Sequence, residues 1–455
     1  MRKLVRRIAQ KGGNLIKPPA GFSPIFSEAT KESLTTSWTQ GGIELVFETP
    51  QIPNFVAIDV QIKAGAVNES PELLGFFDFL EQCVTGSLSR FPNAFGSTKI
   101  ERKKTHFDLL AACMGHQTEE FLQSFAAAIS PNCLAQSVLD SLEKQDFASL
   151  EEEVEAVAFG RRGLGNFSSP SLDNARSEGF LDRAKNFYTR VLRPENLRIY
   201  ASGVYNKEEF VLLVEKHFNF SAPAGTPTGL PEVQNQYVGG VLQRPRQTDP
   251  RKKVLFEQEE MFHEEMAIVF KTDGYSDPNF INFLLLEFLL GDFSHFSSGG
   301  PGKGTESRLK KRFNSVSAVT KFSHFHRYYE NDGLFGILIK GLKNSGKALL
   351  NTLILEVEDL KAPVSRAELD YARNILFSNY FLEREGQFAR MKKLKDEYFY
   401  TRNPLKEEDF IQNLNAITVE DVNKSLKKLL ASSVTAVSLG DFYDFSRLVK
   451  SHFTR

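Results

Sequence analysis

At 455 residues, 41% hydrophobic and 25% charged, the chain has ordinary globular usage and enough apolar material for more than one compact core. Its 56 basic and 57 acidic residues leave a formal net charge of −1, so no global field points to nucleic acid or a membrane surface, and any charge-based recognition must be local. Cys83, Cys113 and Cys133 form an odd set without metal-ligand spacing, which argues against a secreted disulfide framework and reads as small buried hydrophobes.

In chain order, no acidic residue precedes Glu28, while Arg2, Lys3, Arg6, Arg7, Lys11 and Lys17 are basic. Met1, Leu4, Val5 and Ile8 recur at helical spacing until Gly12-Gly13 breaks the pattern. Residues 1–27 therefore read as a mitochondrial-targeting-like helix, with a basic disordered tail as the alternative. FVAIDVQIKAG (55–65) alternates as a strand, and Ser70-Pro71 then precedes a helical pattern through Leu73, Leu74, Phe77 and Leu80. HFDLLAACMG (106–115) is a second strand, followed by a helix over EEFLQSFAAAI. The half closes with an amphipathic helix at 180–192, a strand at 197–203 and a helix at 208–218.

SAPAGTPTGLP (221–231) has no hydrophobic periodicity and lies near mid-chain, as a linker between similar halves would. Beyond it the same order returns. EMAIVFKTDG (265–274) is a strand, and a helical pattern runs through Phe280, Phe283, Leu284 and Leu290. GLFGILIKG (333–341) matches the second strand, and KALLNTLILEVEDL the helix after it. TVEDVNKSLKKLL (418–430), VTAVSLG (434–440) and FSRLVKSHF (445–453) repeat the closing helix, strand and helix, with Thr418 and Asp421 spaced as a capping box. The expected fold is α+β: two homologous domains from internal duplication, each a mixed, mainly antiparallel sheet packed with helices. Their expected bounds are 28–221 and 236–455, joined by a linker at 222–235. The longest apolar stretch, Phe283 to Leu290, holds Glu287 and falls far short of the roughly 20 residues a membrane span requires.

FSSGGPGKGTESRL (296–309) places Gly299, Gly300, Gly302 and Gly304 around Pro301 and Lys303, a run that cannot be helix or strand. As a phosphate cradle it fails, because Gly304 follows Lys303 where a hydroxyl residue would hold magnesium; its other reading is a flexible surface connection. Gly341 to Ala348 fails at the same point, with Ala348 after Lys347.

The stretch LLLEFLLGDFSHFSSGGPGKGTESRL, followed by Asn331 to Ile337, resembles the glycine-rich loop and downstream strand of α-type subunits of mitochondrial processing peptidase. These are non-catalytic members of the insulinase/pitrilysin-type metallopeptidase family, to which complex III core protein 2 also belongs. The resemblance is densest from Glu265 to Gly341. It implies presequence binding through Gly299, Gly300, Pro301, Gly302, Lys303 and Gly304. Thr305, Glu306 and Lys310 depart from the usual less polar residues, which bears on the loop's anchoring. Active members carry H-x-x-E-H on a helix after the first strand; two imidazoles hold zinc and the glutamate activates its water. Here the corresponding positions are Asp78, Glu81 and Gln82, a degenerate zinc motif. The acidic helix from Glu151 to Glu155 lies in the region of the family's last ligand and otherwise reads as a solvated helix face. His324 and His326 flank Phe325 at strand spacing and read as a polar strand edge.

The resemblance thus implies no catalytic residue and no cofactor in this chain, with zinc in a β-type, core-1-like partner that cuts mitochondrial presequence peptides. The implied place is the mitochondrial matrix, or the matrix side of the inner membrane with other complex III subunits. A purely structural core-2-like role in the cytochrome bc1 complex is the alternative.

Overall fold

The computed structural model describes residues 34–48, 52, 54–89, 97–141, 149–167, 174, 177–220, 229–230, 233, 235–245, 262–294, 307–309, 316–402 and 406–453. Residues 1–27, most of 222–235 and the whole glycine run 299–304 lie outside the described residues.

Two six-stranded sheets organise the chain. Sheet A contains β1 (Leu34–Trp38), β2 (Glu44–Glu48), β3 (Phe55–Ile62), β4 (Ser97–Arg102), β5 (Phe107–Met114) and β6 (Leu197–Ser202), in the order β1-β2-β6-β3-β5-β4. Sheet B contains β7 (Gly240–Arg244), β8 (Phe262–Asp273), β9 (Asp292–Ser294), β10 (Val319–Tyr328), β11 (Asp332–Leu342) and β12 (Val434–Leu439), in the order β7-β12-β8-β11-β10-β9. In sheet A, β2 runs parallel to β6, and the pairs β6-β3, β3-β5 and β5-β4 are antiparallel. Sheet B repeats this sense step for step: β7 is parallel to β12, then β12-β8, β8-β11 and β11-β10 are antiparallel. The strands paired by sequence as repeats, β3 with β8, β5 with β11 and β6 with β12, hold equivalent places. The α+β expectation and its duplication are therefore met by topology, which is stronger than pattern alone.

In the first half, α1 (Phe76–Leu88), α2 (Thr118–Ala128), α3 (Gln136–Ser141), α5 (Phe180–Val191) and α6 (Lys207–His217) bury one face of sheet A, whereas α4 (Leu150–Ala158) does not. Phe76, Phe77, Leu80, Phe125 and Tyr188 pack there on Ile58, Val60, Leu109 and Ile199. In the second half, α7 (Phe280–Leu290), α8 (Gly346–Asp359), α9 (Arg366–Leu382), α11 (Glu407–Ala416), α12 (Val419–Leu430) and α13 (Phe445–Phe453) serve sheet B in the same way. The Thr418–Asp421 capping box closes as expected, the threonine hydroxyl accepting from Asp421 N at 3.2 Å. No helix among the described residues is long and apolar enough to cross a membrane.

The helical pattern expected from Leu73 onward is split. Pro71–Leu73 makes a single 3-10 turn, Gly75 adopts φ +89°, and α1 starts at Phe76. A left-handed residue is strained for L side chains and free for glycine, so Gly75 sets where the helix begins.

The other face of each sheet is covered by the opposite half. Helix α4 (Leu150–Ala158) lies on sheet B, where Leu150, Val154 and Ala158 meet Ala267, Val269, Leu338 and Val437. Helix α10 (Gln387–Thr401) lies on sheet A, where Met391 and Tyr398 meet Val46, Ala57, Leu110 and Tyr200. The exchange is reciprocal, but its chemistry is not. The α4 layer is mainly apolar, with Glu153 paired to Arg244 and Glu155 to Tyr329, whereas α10 is held largely by ions: Lys395 lies 2.8 Å from Asp59 and also pairs with Asp108, Arg390 pairs with Glu48, and Tyr398 donates to Glu44 at 2.8 Å. Burial opposes charge on Lys395, and the carboxylates of Asp108 and Asp59 outweigh it, holding the ammonium protonated.

Candidate functional site

Helix α1 places Asp78 and Gln82 one turn apart, with Glu81 on the adjoining face. Gln82 Nε2 donates to Asp78 Oδ2 at 3.1 Å. Opposite them stands Arg102, the last residue of β4, at the edge of sheet A. Its Nη2 lies 2.8 Å from Asp78 Oδ1 and its Nε 2.8 Å from Glu81 Oε2. One guanidinium thus bridges two carboxylates, and both oxygens of Asp78 are engaged. Asp78 is 3% exposed; burial pushes its carboxyl up and Arg102 works against that, with a net rise. Glu152 of α4 is close enough to add to the upward push.

A second cation lies just beyond. Lys104 Nζ is 3.3 Å from Glu155 Oε2 and also donates to the Asn166 carbonyl. Tyr329 OH donates to Glu155 Oε1 at 2.7 Å. Asn166 in turn donates to the carbonyls of Ala66 (2.8 Å) and Glu69 (3.1 Å). Glu69 accepts from Gly75 N at 2.7 Å and Phe77 N at 2.8 Å, fixing the first turn of α1. The acidic helix is therefore not the solvated face that its composition suggested. Glu153 is 0% and Glu155 4% exposed, because α4 is sandwiched against sheet B and its acids face Arg244, Lys104 and Tyr329.

Zinc needs imidazole, thiolate or carboxylate groups converging with free lone pairs. Here Gln82 offers only a neutral amide oxygen, its Nε2 donating to Asp78, and a guanidinium lies between Asp78 and Glu81. Among the described residues, no three His, Cys, Asp or Glu side chains form a group that could hold a metal. The residues do not fit the ion, and no metal chemistry follows from them.

The two histidines need a correction as well. Strand β9 pairs with β10 only over Lys321–Ser323, so His324 and His326 lie beyond it and pair with β11 alone among the described strands, but His326 is buried rather than part of a polar edge. His326 Nδ1 pairs with Glu287 among Phe280, Phe283 and Phe335, and His324 Nδ1 lies 3.2 Å from the Gly291 carbonyl. The three cysteines are free and buried, as their composition suggested.

The six residues Gly299, Gly300, Pro301, Gly302, Lys303 and Gly304 fall outside the described residues. The chain that follows them is anchored by a residue that sequence reasoning passed over. Arg308 Nε lies 2.9 Å from Glu368 Oε1, and its Nη1 and Nη2 donate to the carbonyls of Asp359 (3.2 Å), the last residue of α8, and Pro363 (3.3 Å) just past it. Burial raises Glu368, but Arg308 and Ser365 pull its carboxyl down to about 2. Leu309 is fully buried beside this anchor. Nothing in the local pattern of Arg308 marks it as an anchor, since its partners lie more than fifty residues away.

Residues 180–376 match the family described as peptidase M16 inactive domain. The chain is 23% identical to the probable mitochondrial-processing peptidase subunit alpha of Schizosaccharomyces pombe, over 90% of this chain and 84% of that protein. It is also 23% identical to the mitochondrial-processing peptidase subunit alpha of Solanum tuberosum, over 94% and 84% respectively. In structure it is similar to a chain of "Complex III2 from Candida albicans, Inz-5 bound", with a TM-score of 0.72, 14% identity, and coverage of 91% of this chain and 98% of that one. At that identity the likeness is one of fold. The chain is thus similar to mitochondrial-processing peptidase α subunits over nine-tenths of its length, and residues 180–376 of its duplicated α+β fold match the peptidase M16 inactive domain.

Proposed function

We propose that this chain is the non-catalytic α-type subunit of a mitochondrial processing peptidase. In this reading it binds presequences through residues 299–304 and presents them to a zinc-bearing β-type subunit in the mitochondrial matrix. The carrying observation is the Arg102 bridge: Asp78 and Glu81, at the positions where active relatives use a ligand and a base, are committed to a guanidinium. A carboxylate so held has no polarised water to deprotonate, so any contribution to proteolysis is binding and positioning. Similarity to α subunits along nine-tenths of the chain supports the same reading. A Gly/Pro run of this composition disfavours helix and strand, which suits a peptide-binding role. The proposed domain bounds, 28–221 and 236–455, put this run in the second domain.

A second reading, a core-2-like structural subunit on the matrix side of the inner membrane, is favoured by the likeness in fold to a complex III chain. One preparation distinguishes the two. The chain is purified alone and with the β-type partner of its own organism, and each sample is assayed for zinc and for cleavage of a synthetic presequence. Processing predicts zinc and cleavage only with the partner, and a fall of about tenfold or more in kcat/KM when residues 299–304 are deleted. Full cleavage after that deletion refutes the loop's role. Co-purification with cytochrome b and no cleavage refutes the processing role in favour of the structural one.

A further inference from the structure

We propose that the Arg102 guanidinium is a built-in substitute for a divalent cation at α1: it is the counter-ion that Asp78 and Glu81 require, and it closes the site to metal. Loss of the imidazoles would then be only half of the silencing.

Asp78 is 3% exposed and Glu81 partly buried, so two carboxylates about one helical turn apart stand near each other with one of them out of water. Such a pair needs a cation close by, because like charges in a poorly solvated site raise one another's pKa and strain the fold. In a metal site the ion supplies that charge. Here the side edge of one guanidinium does, with Nε on Glu81 and Nη2 on Asp78, both at 2.8 Å. The planar fork reaches two acceptors at once, which an ammonium on a flexible stem does less well. Asp78 Oδ2 is meanwhile turned to Gln82, so the amide at position 82 completes the shell in place of a ligand. Placement matters too. Arg102 ends β4, an edge strand, and its bridge ties that edge to α1.

A guanidinium that acts as a counter-ion should be replaceable by chemical rescue. In the full-length chain, Arg102→Ala should lower the melting temperature by roughly 5 °C or more. Millimolar zinc, or millimolar methylguanidinium, should recover part of that loss in Arg102→Ala. Neither should act on the parent or on Arg102→Ala/Asp78→Asn. No recovery by either ion in a folded Arg102→Ala overturns the counter-ion role. A second set of variants stands independently of that fold. Asp78→His/Gln82→His with Arg102 retained should bind no zinc by metal analysis after dialysis. Adding Arg102→Ala to that pair should bring zinc to about one per chain. Stoichiometric zinc in the double variant overturns the claim that the guanidinium closes the site.

Discussion

Glu69 is buried with both carboxylate oxygens accepting from the backbone, at Gly75 N and Phe77 N. Burial pushes its carboxyl up to about 8, against the opposing pull of those two donors and of Arg102 and Lys104. The unfolded chain releases the same proton near 4.5. Between those values the native state holds a proton that the unfolded state has lost. The contribution is therefore full below about pH 4.5 and is lost as pH rises through about 8. Glu69→Gln keeps one acceptor and cannot titrate, so the parent's stability relative to the variant should shrink between about pH 5 and about pH 8.5. Urea denaturation across that range checks it, and a constant difference would show that the native carboxyl does not titrate there. At this same scale, the lesion at Asp78, Glu81 and Gln82 was legible because it is local. Arg102 was not, because the bridge depends on how β4 packs against α1, and nothing near residue 102 in the chain signals it.

The strands and helices repeated in both halves were readable because each keeps a period of two or 3.6 along one buried face. Of the crossover helices, α4 was read as an acidic helix but with a solvated face, and α10 was not read at all. Helix α10 has a covered face made of Gln387, Arg390, Met391, Lys395 and Tyr398, so composition points to solvent while the structure puts that face on a sheet. The sheet face beneath it is polar in the same way, with Glu44, Glu48, Asp59 and Asp108 buried. Periodicity cannot see a match between two polar surfaces, because each looks exposed when read alone. Lys395 is the centre of that seam, with no exposed surface. In Lys395→Met, Asp108 keeps Gln61, which donates at 3.1 Å, and His106 at 3.4 Å, whereas Asp59 loses its ion-pair partner. An uncompensated buried charge should cost about 3–5 kcal/mol. Urea unfolding of Lys395→Met should show that loss, and Lys395→Met/Asp59→Asn should recover part of it. Equal stability of parent and single variant would place the seam's strength elsewhere.

At the scale of the whole molecule, the exchange of α4 and α10 makes the two halves mutually dependent. Sheet B without α4 exposes Ala267, Val269, Leu338 and Val437, and sheet A without α10 leaves Asp59 and Asp108 without Lys395. The connection between the halves is then topologically minor. Severing it removes one covalent tether but leaves both crossovers in place, since α4 precedes the proposed linker at 222–235 and α10 follows it. A chain carrying a protease site in that linker should therefore elute, after complete cutting, as one species of unchanged size, with a cooperative melt close to that of the intact chain. The halves expressed separately should each melt without cooperativity and regain it on mixing, because either one alone lacks the helix that covers its sheet. Separation of the nicked halves in native buffer would mean that the ionic seam and the apolar layer are too weak to hold without the tether. In that case the fold is two independent units rather than one interlocked body.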